Sequence, residues 1–308
     1  MVGSHLAEAL VARADRTVVA TFHAPTIRDA ERDALPVALV PLDVRDRVAV
    51  AALVARHRPS AIFHLAAQSL PTVSWVDPWT TLDVNVMGTV NVFEAVRAVG
   101  GGYDPAVVVA CSSAQYGASL LSATGPVPED TPFLPLHPYG VSKVAQDLLA
   151  YQYERNDGIR AIRARIFNCT GPRKRGDVVS DFAARVAACV RAGVSSASLR
   201  VGNLATRRAI LDVRDLIAAL LLLAERAAPD AYNICAAEAV EIGDLIPLFE
   251  QFSGVTLTPE PDPSLLRPCD EPLILGDTAR LRAATGWVPR VTLRDTVRAV
   301  FEHELAAA

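Results

Sequence analysis

Short β-branched runs alternate with longer stretches of helical period along the first half of the chain, and this alternation is what most restricts its fold. "TVVATF" (17–22), "VALVPL" (37–42), "AIFHLA" (61–66), "AVVVAC" (106–111) and "IRARIF" (162–167) read as buried strands. Residues 3–13, 46–57, roughly 78–98 and 138–157 read as helices. Asp46 is placed to cap the second of these, and Gly100–Gly102 stop the third. Strand–helix alternation of this kind predicts an α/β fold with a doubly wound parallel sheet of Rossmann type.

After about residue 168 the pattern loosens. A helix over 179–192, the run "LRVGN", a helix near 213–227, the strand "AYNIC" (231–235), a proline-rich stretch (259–272) and helices over 278–285 and 292–305 follow. They describe a smaller lobe interleaved with the sheet, forming one wall of a cleft where ligands bind. The division this predicts is 1–167 plus about 209–236 for the sheet domain, and about 168–208 plus 237–308 for the lobe.

Composition narrows the partners. The 308 residues carry a net charge of −4, and the basic run Arg173–Arg175 is too short to suggest nucleic acid. "LIAALLLLA" (216–224) falls far short of a bilayer span, and no signal-peptide pattern opens the sequence. The five cysteines show no C-x-x-C, which argues against a structural zinc site and fits free thiols in a reducing cytoplasm. Only two lysines occur, Lys143 and Lys174.

One of those lysines stands in "YGVSK", with Tyr139 and Lys143 four apart at the start of a helix. That spacing puts phenol and ammonium on one face. A nearby cation favours phenolate and makes the tyrosine a usable acid or base. A surface Tyr–Lys pair is the plainer alternative. Upstream, "CSSAQYG" places hydroxyls at the carboxyl end of an apolar strand, where open α/β sheets bind ligands.

A serine at a strand end, a gap of about 25 residues and then Tyr-x-x-x-Lys resemble the extended short-chain dehydrogenase/reductase superfamily. "HLAAQS" (64–69), "DPWTTLDVNVMGTVNVFEAVR" (77–97), "PVPEDTPFLPLHPYGVSK" (126–143), "IFNCTGPRKRGDVVSDFA" (166–183), "RVGNLATRRAILDVRD" (200–215) and "LRPCDEPLILGDTARLRAATGWVPR" (266–290) extend the likeness over nearly the whole chain. Several phrases look most similar to GDP-6-deoxy-mannose (4-keto) reductases, and next to GDP-mannose 4,6-dehydratases. Such proteins open with a strand and G-x-x-G-x-x-G. Here "MVGSHLAEAL" enters at the helix, with Gly3 as the third glycine, so a central first strand is expected to be missing from the sequence. A late start site, a substitute segment, and a member with altered dinucleotide binding are the three explanations.

The resemblance implies roles residue by residue. Ser112 would bond the reacting sugar oxygen, with Ser113 its rival. Tyr139 would exchange the proton, Lys143 would lower the tyrosine pKa and bond the nicotinamide ribose, and Asn85 would support them. For NADP or NAD, the implied contacts are Gly3, His23, Asp43, Val44, Leu65, Ala66, Ala67, Lys143 and Phe167. NADP is favoured because "TFHAPT", which would end the second strand of such proteins, holds no Asp or Glu for a ribose 2′-hydroxyl, while His23 stands about where reductases have a basic residue for a 2′-phosphate, with Arg28 nearby. Asn168, Arg173, Arg208 and Arg267 would meet the sugar diphosphate, since a guanidinium fork suits phosphate oxygens. Ala114 occupies the place of the acid a 4,6-dehydratase needs.

The expected activity is therefore reduction of a GDP-linked 4-keto-6-deoxy hexose by a nicotinamide cofactor in the cytoplasm. A nucleotide-sugar 4-epimerase and a non-catalytic member with impaired dinucleotide capture are the alternatives. The resemblance implies a homodimer that packs the helices of 78–98 and 138–157 into a four-helix bundle, and the apolar faces of both segments agree with it. No metal, nucleic acid or membrane is expected to take part.

Overall fold

The computed structural model describes residues 1–13, 15–24, 27–266 and 270–307. Along the first half run α1 (Val2–Val11), β1 (Ala20–Phe22), α2 (Asp29–Asp33), β2 (Leu39–Pro41), α3 (Arg47–His57), β3 (Ala61–His64), α4 (Pro71–Val76) and α5 (Pro78–Leu82). A π-helical turn (Asp83–Met87) leads into α6 (Gly88–Val99), followed by β4 (Ala106–Ser112), α7 (Pro138–Asp157) and β5 (Ala161–Ile166). The second half holds β6 (Cys169–Thr170), α8 (Val178–Arg191), β7 (Ser196–Val201), β8 (Arg207–Arg208), β9 (Leu211–Asp212), α9 (Val213–Arg226), β10 (Ala231–Ile234) and β11 (Val240–Glu241). It ends with α10 (Leu245–Ser253), β12 (Thr256–Pro261), β13 (Leu273–Ile274), α11 (Ala279–Thr285) and α12 (Leu293–Ala306).

The fold is α/β with parallel pairing. β3, β4, β5 and β10 form one sheet in the order β10-β5-β4-β3, with Ala61 opposite Ala106, Val107 opposite Ala161 and Ala231 opposite Arg163. β1 pairs with β2, Ala20 opposite Leu39, as a separate two-stranded parallel sheet. Helices cover both faces of the larger sheet. Ala106 and Val108 point to the core shared with α1 and α9, whereas Val107, Val109 and Cys111 point to the core shared with α3, α6 and α7. All five are 2% exposed or less; each buried valine contributes roughly 1.5–3 kcal/mol by leaving water. The small lobe has its own core, where Val179, Phe182 and Val186 of α8 meet Leu245 and Phe249 of α10 and Val297, Val300 and Phe301 of α12.

The boundaries follow local chemistry. Asp46 accepts from the amides of Val48 and Ala49 and caps α3, as the sequence indicates. α7 opens on His137, whose Nδ1 accepts from the Gly140 amide, with Pro138 at its first position, and it stops at Gly158 in the left-handed region. The single helix expected over 78–98 is instead three pieces. Pro78 starts a new helix after Asp77, and the π turn inserts one surplus residue around Asn85. Gly88 resumes the helix where Val44 lies so close that a Cβ would sit 2.6 Å from its Cγ1.

Two ties fasten distant parts. α7 is clamped to β5 by a buried ion pair: Arg165 Nε donates to Asp147 Oδ2 at 2.8 Å and Nη2 to Oδ1 at 3.1 Å. Arg165 Nη1 also donates to the Tyr116 hydroxyl and the Glu129 carbonyl, so most of its donors are engaged within the fold. At the far end, His303 of α12 lies 2.8 Å from Glu31 of α2, and Arg28 reaches both. The other end of α12 is fixed by Thr296, whose hydroxyl donates to Asp212 Oδ2 at 2.8 Å.

Burial opposes the ionised form of Asp147, but Arg165 outweighs it and holds the carboxyl below the usual range. The pair's stabilisation is thus full above the ordinary aspartate pKa and fades as pH falls through the depressed folded value. Asp147→Asn leaves a buried guanidinium uncompensated. It should lower the unfolding free energy by about 3–5 kcal/mol in denaturant titration, and the variant should lose part of the wild type's extra acid sensitivity below about pH 4.

Candidate active site

Ser112, Tyr139 and Lys143 converge at the carboxyl end of the larger sheet. Ser112 is the last residue of β4, extended at φ −151° and ψ 150°, and its Oγ accepts from the Ala114 amide at 3.2 Å. The Ser112 side chain stands close enough to the Tyr139 hydroxyl to favour its ionised form. α7 can come this close because Gly140 lacks a side chain: a Cβ there would lie 2.7 Å from the Ala114 carbonyl oxygen. The Tyr139 ring also stacks on His137, centroids 5.9 Å apart and planes 16° apart.

Lys143 lies one turn further along, 3% exposed, with Nζ 5.6 Å from the Tyr139 ring centroid. The ammonium donates to the Ala110 carbonyl and to Gln146 Oε1, each at 2.7 Å. Burial pulls its pKa down to about 8. Burial also pushes Tyr139 up to about 12, against the Ser112 side chain, which works the other way. The sequence suggests a lysine that turns the phenol toward phenolate. In this structure desolvation wins, and the phenol stands as a neutral acid.

Asn85 faces this group from the π turn and is fully buried. Its Oδ1 accepts from the Gln68 amide at 2.8 Å, and its Nδ2 donates to the Gln68 carbonyl and to Ser142 Oγ. Ser142 in turn donates to the Tyr139 carbonyl at 2.7 Å. Asn85 therefore locks the 64–69 loop to the first turn of α7.

The residues expected at a dinucleotide lie around the strand ends. Gly3 sits in α1 over Leu65, whose Cδ1 is 3.9 Å from where a Cβ would be. Leu65 and Ala67 are half-buried and Ala66 is exposed, just past β3. Val44 packs on Gly88. Asp43 is gripped by Arg45 through both carboxylate oxygens, which lowers its pKa to about 2, and His23 Nε2 approaches it at 3.7 Å. Arg28 is spent on Glu31 and His303. The Phe167 side chain is 3% exposed, packed with Tyr116 and beneath Gly276.

Among the residues expected at the sugar diphosphate, Asn168 is exposed and its carbonyl accepts from the Leu211 amide. Arg173 reaches α1, donating to Ser4 Oγ at 3.1 Å and Glu8 Oε1 at 2.7 Å. Arg208 is buried and donates to Asp270 and to the Glu271 carbonyl. Arg267 lies outside the described residues. Ala114 presents a methyl group beside Ser112. The buried carboxylates of this region are committed elsewhere: Asp147 to Arg165, and Glu129 to the Asn233 amide.

A sequence model of the family described as GDP-mannose 4,6 dehydratase matches residues 1–300. The chain belongs to that family. Within it, the chain is 34% identical over 243 residues to the GDP-6-deoxy-D-mannose reductase of Pseudomonas aeruginosa, covering 79% of each. It is 24% identical over 295 residues to the GDP-mannose 4,6-dehydratase of Yersinia enterocolitica, covering 86% of this chain and 78% of that one. Among solved structures, RMD from Pseudomonas aeruginosa complexed with NADPH superposes with a TM-score of 0.83 at 29% identity, over 100% of this chain and 96% of the other. Its family likeness accounts for the short-chain dehydrogenase/reductase features of the sequence. It does not by itself choose among the family's reactions.

Reasoning from the sequence missed the supporting residues Gln68, Thr89, Ser142, Gln146 and the Arg165–Asp147 pair. Thr89, four residues beyond Asn85, and Gln146, three beyond Lys143, had helical spacing as a signal. The others depend on contacts between elements. Removing the Asn85 side chain by Asn85→Ala strips partners from both polar groups of Gln68. It should cost about 1–3 kcal/mol per buried group left unpaired, read as a fall in the unfolding midpoint.

Proposed function

We propose that this nucleotide-sugar oxidoreductase reduces the 4-keto group of a GDP-linked 6-deoxy hexose, with NADPH as the cofactor. The observation that carries the reading is the convergence of Ser112, the buried Tyr139 phenol and the buried Lys143 ammonium 5.6 Å from its ring. The 34% identity to a GDP-6-deoxy-D-mannose reductase supports the substrate, and the NADPH complex of a structural relative supports the cofactor.

The residues present fit a dinucleotide by their donor chemistry. α1 begins without a side-chain cap, which leaves first-turn amides to favour a diphosphate. The Asp43 carboxylate offers acceptors to an adenine amine, His23 stands beside it, and Lys143 offers an ammonium to a ribose. When bound, the reduced nicotinamide supplies a hydride. Ser112 would orient the keto oxygen through its hydroxyl. Tyr139 would donate its proton to that oxygen as negative charge builds there, and the Lys143 charge would stabilise the phenolate left behind. Asn168, Arg173, Arg208 and Arg267 are proposed for the diphosphate of the sugar nucleotide. Dehydration is disfavoured because a methyl group at Ala114 cannot take a proton from carbon.

A homodimer is proposed on an exposed apolar stripe. Val141, Leu148 and Tyr151 share one side of α7 and are 42–52% exposed, while Trp79 and Leu82 of neighbouring α5 are 79% and 39% exposed. Such a stripe matches the helix-to-helix packing expected between two copies.

Turnover of a GDP-4-keto-6-deoxy hexose with stoichiometric loss of NADPH tests the reaction. Cofactor that is retained through a net inversion at C4 would mark an epimerase instead, and failure to bind NADPH or NADH by calorimetry would mark a non-catalytic member. Tyr139→Phe should lower kcat about 100-fold to 10,000-fold with KM nearly unchanged. The wild-type kcat should be level through neutrality and fall above a pH of about 8, where Lys143 loses its charge. The double variant Trp79→Asp, Leu148→Asp should sediment as a monomer if the stripe is the interface.

A further inference from the structure

A buried hydrogen-bond chain runs away from the catalytic pair, and the reaction as described does not use it. Gln146 accepts from Lys143 Nζ at 2.7 Å and donates through Nε2 to Thr89 Oγ1 at 2.7 Å. Thr89 Oγ1 donates to the Asn85 carbonyl at 2.6 Å, and His64 Nε2 lies 2.9 Å from Thr89 Oγ1. Lys143, Gln146, Thr89 and His64 are all 4% exposed or less.

The 2.6 Å contact gives the single Thr89 proton to the Asn85 carbonyl, and in that arrangement His64 carries its proton on Nε2 and donates to Thr89. His64 is neutral, since burial and then the Lys143 charge push its pKa down to about 3. The Gln146 nitrogen must then face Thr89, which turns its oxygen to Lys143. The reverse amide orientation would set an NH2 group against an ammonium.

We propose that Gln146 is a positioning residue for this site: held by Thr89 and His64 behind it, it fixes the Lys143 ammonium beneath Tyr139 and keeps it charged. The proposal rests on the reading of Tyr139 and Lys143 as the reacting pair. A buried ammonium needs acceptors in place of water, and the two it has are the Ala110 carbonyl and Gln146. The titratable groups around it supply no free counter-charge. Tyr139 on its own helix is a neutral phenol. Cys111 of β4 is a buried thiol with a pKa raised by burial, and His64 of β3 is neutral. Asp147, one turn further along α7, is taken by Arg165 and Arg163 of β5. The amide oxygen of Gln146 is therefore the acceptor that side-chain chemistry can tune.

With two lysines in the sequence, full-length protein labelled at lysine 15Nζ gives two resonances, and Lys174→Arg assigns them. Gln146→Glu should raise the Lys143 titration midpoint by about one pH unit or more, and Gln146→Met should lower it by about one unit. Thr89→Val, which frees the amide to turn, should lower it by less. The alkaline fall in kcat should move with each midpoint while KM for the sugar nucleotide stays within about twofold. Midpoints that stay in place, or that move the same way in the Glu and Met variants, overturn the proposal. If the Met variant does not fold, the Glu and Thr89→Val midpoints decide, opposite shifts supporting it and any other pattern overturning it. Opposite shifts in a protein that turns over no keto sugar would leave the hold on Lys143 standing and remove the reductase reading.

Discussion

An ammonium buried without a carboxylate is the constraint on which this structure turns. Lys143 can be kept from water only while the Ala110 carbonyl and Gln146 stand within hydrogen-bond reach. That requires α7 to lie tightly on β4 and β5, and the tightness comes from Gly140 against Ala114 and Asp147 against Arg165. Packing the helix and building the site are thus one problem. The same water exclusion that strains the lysine also keeps the neighbouring phenol protonated.

Around that centre, buried polar side chains are satisfied in series. Asn85 serves the Gln68 loop and Ser142, Ser142 serves the Tyr139 carbonyl, and Thr89 joins Asn85 to Gln146. The π turn is what allows this. An extra residue in the helix offsets the register on either side, so Asn85 can face the loop while Gly88 still meets Val44. In the small lobe the guanidinium of Arg208 is likewise held by its own partners, Asp270 and the Glu271 carbonyl.

Much of the sheet was readable because its strands are short, apolar and β-branched, and its helices carry clear stops. Asp46, Gly100 and the Tyr139–Lys143 spacing announced themselves locally. The two-residue strands β6, β8, β9, β11 and β13 carry no period to detect, and β12 hides in a run containing Pro259 and Pro261. A helical period also reads straight through residues 78–98, because a one-residue register offset leaves the apolar pattern nearly intact. At the site, residue identities were legible but protonation was not. Whether Lys143 dominates Tyr139 depends on where Nζ points and how much water is excluded, and both are set by β4 and Gln146 rather than by the i, i+4 spacing.

α12 spans more of the molecule than its place at the end of the chain suggests. Its apolar face lies in the core of the small lobe, Thr296 near one end grips Asp212 at the start of α9, and His303 near the other meets Glu31 and Arg28 beyond β1. It acts as a tie-beam that bypasses the cleft. Any movement of the small lobe must carry this beam with it, so the segment following β1 moves along with the lobe.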